Sequence, residues 1–551
     1  MKIILLMDNT KSARLRGFQT VCKTCLRWSA VLMAEIFILW STFQYVIWDR
    51  DYLRYEKWIG VAVLAAAAVY IVVTVFTDRE EFARILAFMR RLCSFEQIML
   101  ILLLFWYLVS CAVRSRIDAD PLFKFNDNRL FMVTMSVFLF FPLAELIGSR
   151  SKRVLEGMFH LTMLPFTPFC AWCIWRYYRA EYIGLPSGLA LTCHSETVSM
   201  QIGGNVNVTA AASVILFGLC LYMILTQRRA IRIVYIPAAV IQFATAVLTN
   251  SRTSFITLLC IILVTAFLYI WDRMQNRALI IRIAASLLAA ALGVSAGIAG
   301  QTALMRLFKY VRAEISKKEA QTEVETAETA EITMEQVQEF LRERARESLK
   351  EQTQGNSSDS STNEVALTTT RPDTQPDDLP ALKVSEPQSP AVSQSPDETT
   401  DSGARKMNNL GGRSGIWKAA IKLIFSSPDH FLFGVSPCNV KSELQKASQL
   451  GEDVTHAHNG LLQVGVGLGV PAMLIFLLFE LGIIARCLNI VVRGKGRPFR
   501  YSWSIPVVIM AIMIIELVEA MVFAMVRLNL PAFFILAGCS VKMCRQIQNG
   551  G

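Results

Sequence analysis

An arginine and two closely spaced histidines stand out between Leu410 and Leu468. Arg413 follows two glycines in GGRSGIW, and His456 and His458 lie in THAHNGLLQVGVGLG. A guanidinium keeps its charge and donates from a rigid fork, which suits a phosphate. Imidazole exchanges a proton near neutral pH. Gly411 and Gly412 let backbone amides approach a ligand closely. The pattern joins an anion binder to an acid–base group. A second arginine, in Ser251-Arg252-Thr253, occupies a tight turn between two apolar runs, where it serves as an interface anchor or as another anion contact. Asn459 is placed to cap the helix that follows, or to orient His458. Two histidines at i and i+2 can also hold a metal, but only Glu452 and Asp453 lie nearby. No other Cys, Asp or Glu nearby could complete a ligand set, and no metal is expected.

The elements that must carry these residues are apolar. A chain of 551 residues has room for several soluble domains. Here 53% of residues are hydrophobic, and the mean hydropathy is +0.41. The apolar residues come in blocks long enough to cross a bilayer. Spans are expected near 29–48, 58–77, 95–113, 130–148, 154–175, 208–226, 231–249, 253–271, 280–300, 459–485, 503–522 and 526–543. The fold class is thus an all-α polytopic membrane protein of about 12 transmembrane helices. Residues 1–300 form an N-terminal membrane domain, 301–458 one large extracytoplasmic loop between helices 9 and 10, and 459–551 a C-terminal membrane domain.

Charge orients this scaffold. The net charge is +11. Its basic residues gather in short loops, as in Arg228/Arg229/Arg232 and Arg486/Arg493/Lys495/Arg497/Arg500, which argues against nucleic-acid binding. Loops on the side of the N-terminus hold the larger basic set, so both termini are expected in the cytoplasm and Arg252, Arg413 and the histidines outside. Most of the 13 cysteines lie in apolar blocks and act as small hydrophobes. Cys193 and Cys438 both fall on the outer side, where a disulfide between them is permitted. No phosphate loop, GxSxG or HExxH occurs, and no cofactor is expected.

Within the polar stretch, Glu331–Gln352 reads as an amphipathic helix, either lying on the membrane or extending the ninth span. Thr353–Ser402 is rich in Ser, Thr, Pro, Gln and Asp, and is expected to be a disordered insert. Ile416–Phe425 suits a short helix with Trp417, Ile421 and Phe425 on one face, broken at Pro428. Gly465–Gly469 opens the next span and eases its packing. Glu516 and Glu519, at i and i+3 near the outer end of the eleventh span, either pair with Arg527 or Arg252 or shape a ligand site.

Four segments in order carry a resemblance: NSRTSF (250–255), GGRSGIW (411–417), SSPDHFLFGVSP (426–437) and HAHNGLLQVGVGLGVP (456–471), with a weaker match at Gly204–Asn207. Over roughly residues 200–485 the chain resembles the O-antigen ligase/polymerase superfamily of bacterial envelope glycosyltransferases. The insert at 353–402 is longer than that family needs. The resemblance implies a GT-C-like membrane glycosyltransferase, metal-independent, at the outer face of the bacterial cytoplasmic membrane. Its donor would be an undecaprenyl-diphosphate-linked glycan and its acceptor a glycan or lipid. Arg252 and Arg413 would bind the diphosphate. His458, or alternatively His456, would act as base, with Asn459, Glu516 and Glu519 in support. The competing reading is a polysaccharide transporter or flippase. That would place charges at the bilayer midplane in repeat-related broken helices, whereas these groups gather at one face.

Overall fold

The computed structural model describes residues 94–117, 133–146, 151–178, 183–184, 190–191, 206–227, 229–354, 413–448, 454, 456–493, 502–520 and 529–548, with a few isolated positions before residue 87. Of the expected span at 58–77 only Val72 is described, and of that at 29–48 only isolated helical positions between Val31 and Leu39. Cys193, Arg527 and all of the insert beyond Gln354 lie outside the described residues.

The described chain is helical apart from a two-residue antiparallel ribbon, β1 (Ile183–Gly184) with β2 (Ala190–Leu191). In order the helices are α1 (Phe95–Ile117), α2 (Phe141–Leu146, continuing a π-turn at Ser136–Phe140), α3 (Ser151–Tyr178), α4 (Val206–Thr226), α5 (Arg229–Leu248), α6 (Arg252–Arg273) and α7 (Leu279–Gln354). Then come α8 (Arg413–Ile424), α9 (Pro428–Phe433), α10 (Val440–Ser448), α11 (Gly460–Leu468), α12 (Val470–Arg493), α13 (Ser504–Glu516) and α14 (Asn529–Gln548). Among the described residues eight helices are long and apolar enough to cross a membrane, and α13 and Val133–Leu143 are shorter apolar helices. The chain is an all-α polytopic membrane protein.

Helix α4 is apolar all round and most of it is buried, so it forms the middle of the bundle. Helices α5, α6 and α13 pack on it. Phe479 of α12 packs against Phe141, Phe533 and Phe534, with ring centroids about 6 Å apart. Arg486 Nε donates to Glu96 Oε1 at 2.7 Å and ties α12 to α1. The first segment of α7 leaves Leu287, Leu288 and Leu292 exposed, as a lipid-facing span requires. The chain divides into two compact units, Met1–Ile315 with Leu410–Gly551, and Ser316–Asn409. Every residue considered for chemistry belongs to the first. Glu331–Gln352 is helical, within α7.

The tenth span differs from its expected form. The apolar run from 459 is two helices, α11 and α12, broken at Gly469. Gly469 has φ +87°, and a Cβ there would lie 2.2 Å from the Leu432 carbonyl oxygen. Gly434, with φ +68°, would meet the Gly467 carbonyl carbon at 2.4 Å. Val435 N–H donates to Val466 O at 2.8 Å. The glycine run thus does serve close packing, but of backbone on backbone between the α9 end and the break. Sequence hydropathy reads through that break because the residues on both sides are apolar.

Candidate active site

Five separate segments meet around one carboxylate. Glu519 lies just past the end of α13, in a turn held by its own N–H donating to Ile515 O at 2.8 Å. The side chain is buried. Its Oε2 is 2.9 Å from His458 Nδ1. Its Oε1 accepts from Arg413 Nη2 in an ion pair, and from Asn207 Nδ2 at 2.9 Å. Asn207, in the first turn of α4, accepts in turn from Ser251 Oγ at 3.0 Å. Ser251 is the N-cap of α6, yet its hydroxyl makes no capping bond. It is committed to Asn207 instead. Arg413 Nη1 donates to Thr253 Oγ1 at 3.3 Å.

His458 is held on all sides. It is a non-glycine residue with φ +49°, a conformation that costs of order 1–3 kcal/mol and persists only where the surroundings over-determine it. Its N–H donates to His456 Nδ1 at 3.2 Å. Its carbonyl accepts from Trp417 Nε1 at 3.2 Å. Just before it, Ala457 N–H donates to Gln463 Oε1 at 2.9 Å. Just after it, Asn459 caps α11, accepting from Leu462 N–H at 2.9 Å, while its amide donates to Leu517 O at 2.8 Å. Asn459 therefore acts as the helix cap. Because Glu519 takes Nδ1–H, the remaining lone pair of His458 is on Nε2. The ring is partly exposed.

His456 is buried, with its Nδ1 occupied by the His458 backbone. The two rings lie 3.9 Å apart between centroids. Its position is that of a support to His458. Arg252 is exposed at the first turn of α6, next to Thr253, and no carboxylate among the described residues engages it. Arg413 spends two of its five N–H donors on Glu519 and Thr253.

The two glutamates engage different partners. Glu516 is the last residue of α13 and packs under the first turn of α11, where a Cβ on Gly460 would fall 2.3 Å from its Oε1. A carboxylate is favoured there by the exposed N–H groups of a helix start. Glu519 pairs with Arg413 and His458, not with Arg252. Glu519 adds a potential third donor beside the two histidines. One donor atom each from His456, His458 and Glu519 lie within 4.8 Å of one another. Sequence proximity hid it, because Glu519 is 61 residues from His458. Asn207, Ser251 and Trp417 also went unremarked as site residues. The one signal was the weak asparagine pattern before α4.

The site and the spans define a class, a multi-pass membrane protein with a polar catalytic-type cluster at one end of its bundle. Comparison adds a likeness. Residues 237–477 match the family model for O-antigen ligase, and over that range the chain is similar to the O-antigen ligase/polymerase superfamily. No curated protein matches the chain. The matched range holds Arg252, Arg413, His456, His458 and Asn459, while Asn207, Glu516 and Glu519 lie outside it.

Proposed function

We propose that the chain transfers or polymerises a lipid-diphosphate-linked glycan at the outer face of the bacterial cytoplasmic membrane, with undecaprenyl diphosphate as the carrier. The observation that carries this reading is the Glu519 carboxylate shared between an anion-binding arginine and an imidazole. His458 Nε2 takes the proton of an acceptor hydroxyl, a contribution of about 10²–10⁴-fold. The acceptor oxygen bonds to the anomeric carbon as the bond from that carbon to the diphosphate oxygen breaks. The diphosphate leaves with the electron pair, and Arg252 and Arg413 stabilise its growing charge. Attack opposite the leaving group inverts the anomeric centre. Glu519 fixes the imidazole tautomer, as a carboxylate does for a base elsewhere in acyl transfer.

No resident metal is needed in this scheme. Arg413 already compensates the carboxylate that a cation would require. The placement outside and the cytoplasmic termini rest on the basic inner loops. The acceptor is a second glycan or a lipid-anchored one.

The test is His458→Asn, since asparagine accepts positive φ more readily than most residues. In proteoliposomes with a lipid-linked oligosaccharide, transfer should fall at least about 100-fold while the variant folds and extracts like the parent. Transfer within a few fold of the parent would remove the base from His458.

A further inference from the structure

Helix α8 has a buried apolar side, and its opposite side carries exposed apolar residues among lysines. Ile416, Ala419, Ala420, Leu423 and Ile424 are buried against the rest of the unit. The opposite stripe, Ser414, Lys418, Ile421, Lys422 and Phe425, is exposed along its whole length. Phe425 is 65% exposed and Ile421 48%. In α9, Phe431 and Leu432 are exposed beside them, and the Phe425 and Phe431 rings lie 5.5 Å apart. The stripe is graded. It begins with a serine and a lysine beside Arg413 and ends with aromatic rings at the tip.

The depth of that tip is fixed by contacts of its other side. The Phe433 carbonyl accepts from Ser110 Oγ, and the Phe433 ring stacks on Trp106 at 5.8 Å. Both partners belong to the membrane span Phe95–Arg114. Ser110 is one turn inside the end of that span, about 6 Å at 1.5 Å per residue. On the other flank, the α9 end packs backbone to backbone on Gly467–Gly469, at the start of the α12 span. The exposed rings are thus at the level of hydrocarbon, not of bulk water. Polar Ser426 and Asp429 at the turn keep the tip near the boundary.

We infer that α8 and α9 form a wedge seated in the phospholipid leaflet on the side of the active site, with Ile421, Phe425, Phe431 and Leu432 among the acyl chains and Lys418 and Lys422 on lipid phosphates. An amphipathic segment of this kind buries its apolar face about 5–10 Å into the boundary, and lysine stems snorkel to the phosphates. Arg413 is the first residue of the same helix. The wedge therefore sets the height of that guanidinium above the bilayer. This last consequence rests on the proposed reaction; the seating in lipid does not.

Two measurements separate them. Benzoyl-phenylalanine is placed at position 425, 431 or 441 of the full chain in nanodiscs of phosphatidylethanolamine and phosphatidylglycerol, irradiated, and examined by mass spectrometry. Lys441 is exposed on α10 and serves as the solvent control. Acyl-lipid adducts at 425 and 431, at least about tenfold above 441, are expected for a buried interfacial face. Adducts at 425 and 431 no more abundant than at 441 overturn the wedge, whether or not the protein transfers glycans. For the height of Arg413, the double variant Phe425→Ser/Phe431→Ser is assayed in liposomes. The donor KM should rise about tenfold with kcat within about twofold, the mark of lost uniform binding. An unchanged KM, or an equal loss in detergent micelles, ends the link between wedge and site.

Discussion

His458 and Arg413 hold opposite oxygens of the same buried carboxylate, Glu519. One is a candidate base and the other a candidate anion binder, and they come from the start of α8 and from the turn just before α11. A single side chain thus fixes both the tautomer of the imidazole and the place of the guanidinium. Moving it disturbs two functions together.

Glu519→Gln tests that coupling. The amide keeps the size of the side chain, but it loses the charge that pairs with Arg413 and orders the imidazole. Transfer should drop about 100-fold in kcat, the scale of losing an oriented base. Glu519→Asp should restore part of it, because the carboxylate returns at shorter reach. If Glu519→Gln changed only KM for the donor, the carboxylate would serve Arg413 alone.

The apolar spans and the two key side chains were legible in the sequence for plain reasons. Twenty-residue apolar blocks have few alternatives, and a charge in a short apolar turn is conspicuous. The Asn459 cap was legible because capping is local, set by a residue and the N–H three positions on. Glu519 was not. A helical period places it on a face but does not say which distant segment comes to that face, and the helix ends three residues before it. The break at Gly469 was hidden for the opposite reason. Leu468 and Val470 are as apolar as a continuous span would make them, and only the carbonyl of Leu432 pressing on the glycine reveals the need for it. Likewise the period of α8 named the stripe holding Ile421 and Phe425 but did not say whether protein or lipid covers it.

Gly434→Ala and Gly469→Ala follow from that packing. Each glycine has positive φ, and each added Cβ would overlap backbone atoms that cannot rotate away. Each substitution should cost about 1–3 kcal/mol from backbone strain alone, and more from the overlap. A thermal-shift or detergent-resistance assay should show both variants unfolding at lower temperature than Gly157→Ala. Gly157 is the control because a Cβ there meets nothing within 4 Å.

A last prediction concerns cations. His456, His458 and Glu519 offer one donor atom each within 4.8 Å of one another, enough for a divalent ion to bridge. Arg413 contests that position, since its guanidinium already sits on Glu519 Oε1. A bound cation would face an adjacent positive charge and would have to displace a charge-assisted hydrogen bond. It would also break the contact between His458 Nδ1–H and Glu519 that orients the base. Activity in proteoliposomes should therefore stay within about twofold after chelator treatment, and excess Zn²⁺ should inhibit by occupying the imidazoles. Replacing Arg413 with Gln should make Zn²⁺ bind at lower concentrations in a direct metal-binding titration, because the competing charge is gone. Loss of transfer with chelator, restored by one divalent ion, would instead make the cluster a metal centre with the Arg413 guanidinium beside it.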